Sequence, residues 1–234
     1  MQRLYDIGDD QHRDLLARFG RTADRRSFLK WTGAAGVGLA LAACSDDPSS
    51  PVAPNGGALG VAPRGTHFLS PTNDTEILQF ALFLELLEAE FYRLAVSAGI
   101  LSGKVLEVST NVRDHEQDHV DFLQAALGGD AFGQDDVVFD FSAVLTDQAT
   151  FLDAAQAFEQ TGVGAYLGAL PLIQSKELRS AGGTIATIEA RHTAAFRAMN
   201  GESKPAPVAF ETPLTPSQVV DRINPFVVSA MGTP

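Results

Sequence analysis

The chain has 234 residues, 45% of them hydrophobic, and a formal net charge of −12; that is enough apolar material for one ordinary domain with extra segments. Residues 1–43 carry seven Lys/Arg and five Asp/Glu, which leaves ten against 24, net −14, for the rest of the chain. A body this acidic argues against a nucleic-acid partner, whose phosphates it would repel, and a lone cysteine, Cys44, excludes an intramolecular disulfide and any thiolate-built metal site.

The first 69 residues are expected to be an address and a tether. Asp24-Arg25-Arg26-Ser27-Phe28-Leu29-Lys30 precedes a Gly- and Ala-rich apolar run from Trp31 to Ala43, too short to span a bilayer as a mature helix. A charged stretch, a weakly hydrophobic stretch and a small-residue exit have the form of a secretory signal. The Arg25-Arg26 pair with Phe28, Leu29 and Lys30 resembles the bacterial twin-arginine export signal. Asp24 stands where that signal usually has Ser or Thr, so the unfolded-chain secretion route stays open. Leu41-Ala42-Ala43-Cys44 resembles a lipoprotein lipobox, which implies a signal over 1–43, lipidation at Cys44 and attachment to a membrane of the bacterial cell envelope. The expected partners are then the twin-arginine export machinery and the membrane. Residues 44–69, punctuated by Pro48, Pro51, Pro54 and Pro63 and by Gly56, Gly57, Gly60 and Gly65, have the composition of a flexible tether with no core of their own.

From residue 70 the pattern turns helical. Asn73 or Asp74 can cap a helix starting near Thr75, whose apolar residues run almost all round it and predict a largely buried element. Gly99 ends it, and Ser102 can cap a second helix to about Leu127, where Gly128-Gly129 stops it. The short link makes these two helices antiparallel neighbours. Residues 128–145 are a long connection with Phe132, Phe139 and Phe141. A connection of this length can cross the bundle and set the third helix parallel to the second, with a short strand candidate at Val137 to Phe141. Thr146 or Asp147 can cap the third helix, which continues to about Pro171. A fourth is expected from Lys176 to Met199. The Pro-rich tail, 201–234, leaves room for a short helix from Pro216 to Arg222.

One pattern appears twice. Glu85 is followed by Tyr92 and then by Glu116 and His119; Glu159 is followed by Tyr166 and then by Glu189 and His192. Each Glu–Tyr spacing is seven residues, and the Glu-to-Glu separations are 31 and 30. A Glu-x-x-His pair lies on one helix face and offers two ligands one turn apart. With 11 Glu and five His in the chain, about 0.24 such pairs arise by chance, so one would mean little but two with matched upstream Glu residues mean more. Four carboxylates balance two divalent ions and leave neutral imidazoles as the remaining ligands. Without ions, four buried Glu would repel one another at a cost of several kcal/mol each. Oxygen and imidazole donors favour iron or manganese. Glu88 competes with Glu85, but only Glu85 keeps both spacings, so Glu88 is expected just outside the ligand set. Tyr92 and Tyr166 are expected to hydrogen-bond ligands across the bundle. His115 creates a rival: His115-Glu116-Gln117-Asp118-His119 matches the His-Glu-x-x-His helix of zinc metalloproteases, though that leaves the second copy unexplained. His115 is otherwise expected near the edge of the site or on the surface.

At these residues the chain resembles the ferritin-like superfamily. Leu84-Glu85-Leu86-Leu87-Glu88-Ala89-Glu90-Phe91-Tyr92 and Ile188-Glu189-Ala190-Arg191-His192 are similar to ferritin-like proteins that include exported bacterial members and plant desiccation-related proteins. The resemblance covers about residues 70–200. It implies an all-α, antiparallel four-helix bundle with a long crossover between helices 2 and 3. It also implies a carboxylate-bridged di-iron or di-manganese site on Glu85, Glu116, His119, Glu159, Glu189 and His192. Two functions follow as expectations: a di-metal protein acting on a small oxidant, O₂ or peroxide, or a non-catalytic metal-binding or stress-protective structural protein.

Overall fold

The computed structural model describes residues 70–229; the export signal with Arg25 and Arg26, the lipidation site Cys44 and the tether lie outside them. Helix α1 spans Asp74–Ser97, α2 Gly103–Leu127, α3 Gln148–Ala169 and α4 Lys176–Met199, and a short α5 spans Pro216–Ile223. Helix α1 packs chiefly on α2, and α3 on α4. The two hairpins close face to face into an all-α four-helix bundle.

Local chemistry sets the helix ends. Asn73 caps α1 by accepting from the Glu76 amide at 3.0 Å, and Asp147 caps α3 by accepting from Ala149 and Thr150 amides at 2.9 Å each. Ser102 occupies the N-cap position of α2 but makes no cap bond, contrary to expectation. Its hydroxyl and its amide instead meet Gln148 Oε1 at 3.2 and 2.9 Å. That contact joins the starts of α2 and α3, so the two helices run parallel and the connection between them must travel the length of the bundle. Gly99 and Gly128 stop α1 and α2 at φ 72° and 59°, left-handed values that only glycine adopts without strain.

The crossover is apolar where it touches the bundle. Phe132, Val137 and Phe141 are buried, and Phe141 meets Phe91 edge-on at 5.3 Å. Phe91 also stacks on Phe151 at 5.3 Å. These rings fill the end of the bundle where α1 finishes and α3 begins. The expected strand is only Val138–Phe139 (β1), paired antiparallel with Val227–Ser229 (β2). Before α5 the tail lies across α3, where the Leu214 amide donates to the Gly164 carbonyl at 2.9 Å. A Cβ on Gly164 would sit 2.5 Å from Leu214 Cγ, and one on Gly168 would overlap the Leu214 carbonyl. The tail therefore seats in a groove that only glycine leaves open. No helix among the described residues is long and apolar enough to cross a membrane.

Candidate metal centre

Each of the four bundle helices brings one fully buried carboxylate to the same level: Glu85 from α1, Glu116 from α2, Glu159 from α3 and Glu189 from α4, all 0% exposed. The apolar sequence around each one forces this, because the face that carries the Glu also carries the core. Helix α2 adds His119 and α4 adds His192, one turn beyond their Glu residues. Donor atoms of Glu85, Glu116, His119 and Glu189 lie within 4.8 Å of one another, and so do those of Glu116, Glu159, Glu189 and His192. All six expected residues thus converge. Glu116 and Glu189 belong to both groups; Glu85 with His119 and Glu159 with His192 belong to one each.

The two halves are nearly interchangeable. His119 Nδ1 lies 3.1 Å from Glu85 Oε2 and 3.0 Å from Glu116 Oε2. His192 Nδ1 lies 3.0 Å from Glu159 Oε2 and 3.1 Å from Glu116 Oε1. The tyrosines cross between halves: Tyr92 of α1 donates to Glu159 of α3 at 2.5 Å, and Tyr166 of α3 donates to Glu85 of α1. This reciprocity requires α1 and α3 to be antiparallel, with each Tyr two turns beyond its own Glu. Burial, and next the charge of the facing Glu, push both phenols well above their ordinary 10, so they act as donors.

Without a metal, protons balance the charge of the site. Burial disfavours a charged imidazole, yet the Glu159 carboxylate, the hydrogen bond to it and the nearby Glu116 carboxylate raise His192 from 6.5 to about 10. Burial likewise opposes the charge on His119, and Glu85 and Glu116 again outweigh it. Burial acts to raise Glu85 too, but the His119 charge and bonds from His119 and Tyr166 hold it below 4.5. Glu116 is raised by burial and by Glu159. Glu189 is raised well above 4.5 by burial and by Glu116, Glu88 and Glu159. No hydrogen bond among the described residues reaches either oxygen of Glu189 or Oε1 of Glu116. The 3.1 Å approach of His192 to that last oxygen is a close charge contact without hydrogen-bond geometry. Buried carboxylate oxygens without donors are costly, and hard cations are the partners that such a donor set fits.

Around this ring, Glu88 is also buried, one turn beyond Glu85, and belongs to neither donor group. Burial first, and then the charges of Glu159, Glu116 and Glu85, raise its carboxyl well above 4.5. Glu90 faces outward and pairs with Arg93 at 2.6 Å. His115 is half-buried, stacks on the His192 ring at 5.1 Å and places Nδ1 2.9 Å from His192 Nε2. It is absent from both donor groups, so the geometry does not assemble the His115–His119 pair that a zinc-protease site requires. The matching position in the second half is Ile188, which cannot make such a bond. Sequence reasoning missed Gly162. A Cβ there would lie 2.5 Å from Glu189 Oε2 and 3.4 Å from Glu88 Oε1. The available signal was a glycine one turn beyond Glu159 in the interior of a helix, where it is disfavoured by about 1 kcal/mol.

No curated protein matches the chain. Residues 73–202, more than half of the chain, match the family model of the ferritin-like domain, and every residue of the buried Glu/His cluster falls inside that span. On that match the chain belongs to the ferritin-like domain family.

Proposed function

We propose that the cluster holds two metal ions, iron or manganese, with Glu116 and Glu189 shared between them. Glu85 and His119 would complete one site, and Glu159 and His192 the other. Three buried carboxylate oxygens make no hydrogen bond, two of them meeting only a histidine at 3.1 and 3.4 Å; they carry this reading, because cations are the partners that such a ring of carboxylates fits best. Both imidazoles would have to release their Nδ1 protons to bind, so loading is coupled to proton release. A metal-facing Nδ1 leaves His192 with its proton on Nε2, and His115 Nδ1 is placed to accept it. Such a metal pair, when bound, supplies one-electron redox chemistry toward O₂ or peroxide. The protein's own contribution is to fix the carboxylates through Tyr92 and Tyr166 and to keep water out of a fully buried ring.

In this reading the bundle is a protein of the bacterial cell envelope, exported through a twin-arginine signal at Arg25-Arg26 and anchored by lipid at Cys44. The similarity of the Leu84–Tyr92 stretch to exported ferritin-like proteins supports that setting. Export of a folded chain would allow the metals to be loaded before transit. Aerobic addition of Fe(II), or of peroxide to the loaded protein, tests the chemistry. Consumption of either oxidant is the expected result; two bound ions with no turnover would leave a structural, stress-protective metal protein instead.

A further inference from the structure

The doubled pattern breaks at one pair of positions. Three residues after Glu85 the chain has Glu88, and three after Glu159 it has Gly162. The two face each other between α1 and α3. Glu88 Oε1 lies 3.4 Å from where a Gly162 Cβ would be, and Glu189 Oε2 lies 2.5 Å from the same point. Any side chain at 162 would crowd both oxygens, so the space goes to the carboxyl of Glu88. That residue is 4% exposed, and no hydrogen bond or ion pair reaches its carboxyl among the described residues. Packing alone does not call for it, because an apolar side chain of similar volume would fill the space at lower cost. A buried polar group kept without a partner needs an explanation.

Charge supplies one. Glu85, Glu116, Glu159 and Glu189 balance two divalent ions, and Glu88 adds one carboxylate beyond that balance. Five carboxylates match one trivalent and one divalent ion. We propose that Glu88 is a specificity-determining residue that fits the centre to a trivalent ion at one of its two positions. It acts from beside Glu189, the shared carboxylate, without belonging to either donor group. The inference rests on the di-metal reading and deepens it: with iron or manganese in the centre, Glu88 favours the oxidised ion.

Gallium(III), supplied as its citrate complex, is the trivalent probe and Mn(II) the divalent one. Each is equilibrated by dialysis with the full chain, with Glu88→Gln and with Glu90→Gln, and the metal bound per chain is measured. Glutamine keeps the shape of Glu88 and removes its charge. The ratio of Ga(III) to Mn(II) affinity is expected to fall about tenfold or more in Glu88→Gln, the effect of one further unit of ionic charge within roughly 10 Å of a carboxylate at an effective dielectric constant near 20. Glu90→Gln, which removes an outward-facing charge from the same helix, should leave the ratio unchanged. Glu88→Met keeps the volume and repeats the test if the glutamine variant does not fold. An unchanged ratio, equal losses for both ions, or the same fall in Glu90→Gln would overturn the proposal and leave the di-metal reading standing. A full chain that binds neither ion would sink that reading and this inference with it.

Discussion

Adding a single methyl group at Gly162 should uncouple stability from metal binding. In the interior of α3 an alanine is favoured over glycine by about 1 kcal/mol, so Gly162→Ala ought to stabilise the helix wherever its Cβ finds room. At this position the Cβ would meet Glu189 Oε2 at 2.5 Å and Glu189 Cδ at 3.3 Å. Ordinary carbon contacts lie near 3.5 Å, so the carboxylate oxygen must retreat by about 1 Å. Metal–ligand distances tolerate about 0.2 Å. A displaced Glu189, shared by both donor groups, weakens both sites together, and we expect at least a tenfold loss of affinity, on the scale of a ~1 Å misplacement. The comparison is Gly183→Ala in α4, whose Cβ meets nothing within 4 Å; it should gain up to about 1 kcal/mol and leave metal binding unchanged. The assays are chemical denaturation of the metal-free proteins and calorimetric titration with Mn(II). Gly162→Ala with unchanged stoichiometry and affinity would refute the assignment of Glu189 to the site.

His115→Ala should cost about 10- to 100-fold in affinity at the site containing His192, while His115→Gln, whose side-chain carbonyl can accept the same bond, recovers most of it; equal affinities in all three proteins would show that the stacked ring does not orient His192. In the metal-free chain, the raised His192 contributes stability that is complete below pH 6.5 and lost as the pH rises through about 10. The raised Glu189 and Glu88 act in the same direction above 4.5. Metal affinity should rise over the same interval as protons cease to compete. The melting temperature of the metal-free form should therefore fall from pH 6.5 to 10 while the stabilisation added by metal grows, and parallel slopes would contradict the charge assignments. Leu214→Ala should cost about 2–4 kcal/mol in urea unfolding, because the buried side chain seats the tail between Gly164 and Gly168; a loss under about 1 kcal/mol would mean that the tail does not close this face.

The six clustered residues were legible because helical spacing is rigid. Glu116 and His119, or Glu189 and His192, share a face in any α-helix, and the repeat fixed which upstream Glu belongs to each pair. The two Tyr–Glu bonds were legible for the same reason. What the sequence could not show is set by how helices meet. Which two carboxylates are common to both donor groups depends on the closeness of α2 and α4 in space, and the room that Gly162 leaves for Glu189 depends on the α3–α4 contact. His115 reads as part of a protease motif in one dimension, but it lies against a histidine 77 residues away. The Ser102 cap failed because Gln148, from another helix, offers its hydroxyl and amide a better acceptor. The tail across α3 left only a glycine stripe as its trace.

The metal content of the chain isolated from cells tests the central claim most directly. Two iron or manganese ions per chain are predicted, with both lost in the Glu159→Ala, Glu189→Ala double variant while the fold is retained. A single zinc ion that survives those substitutions would contradict the account.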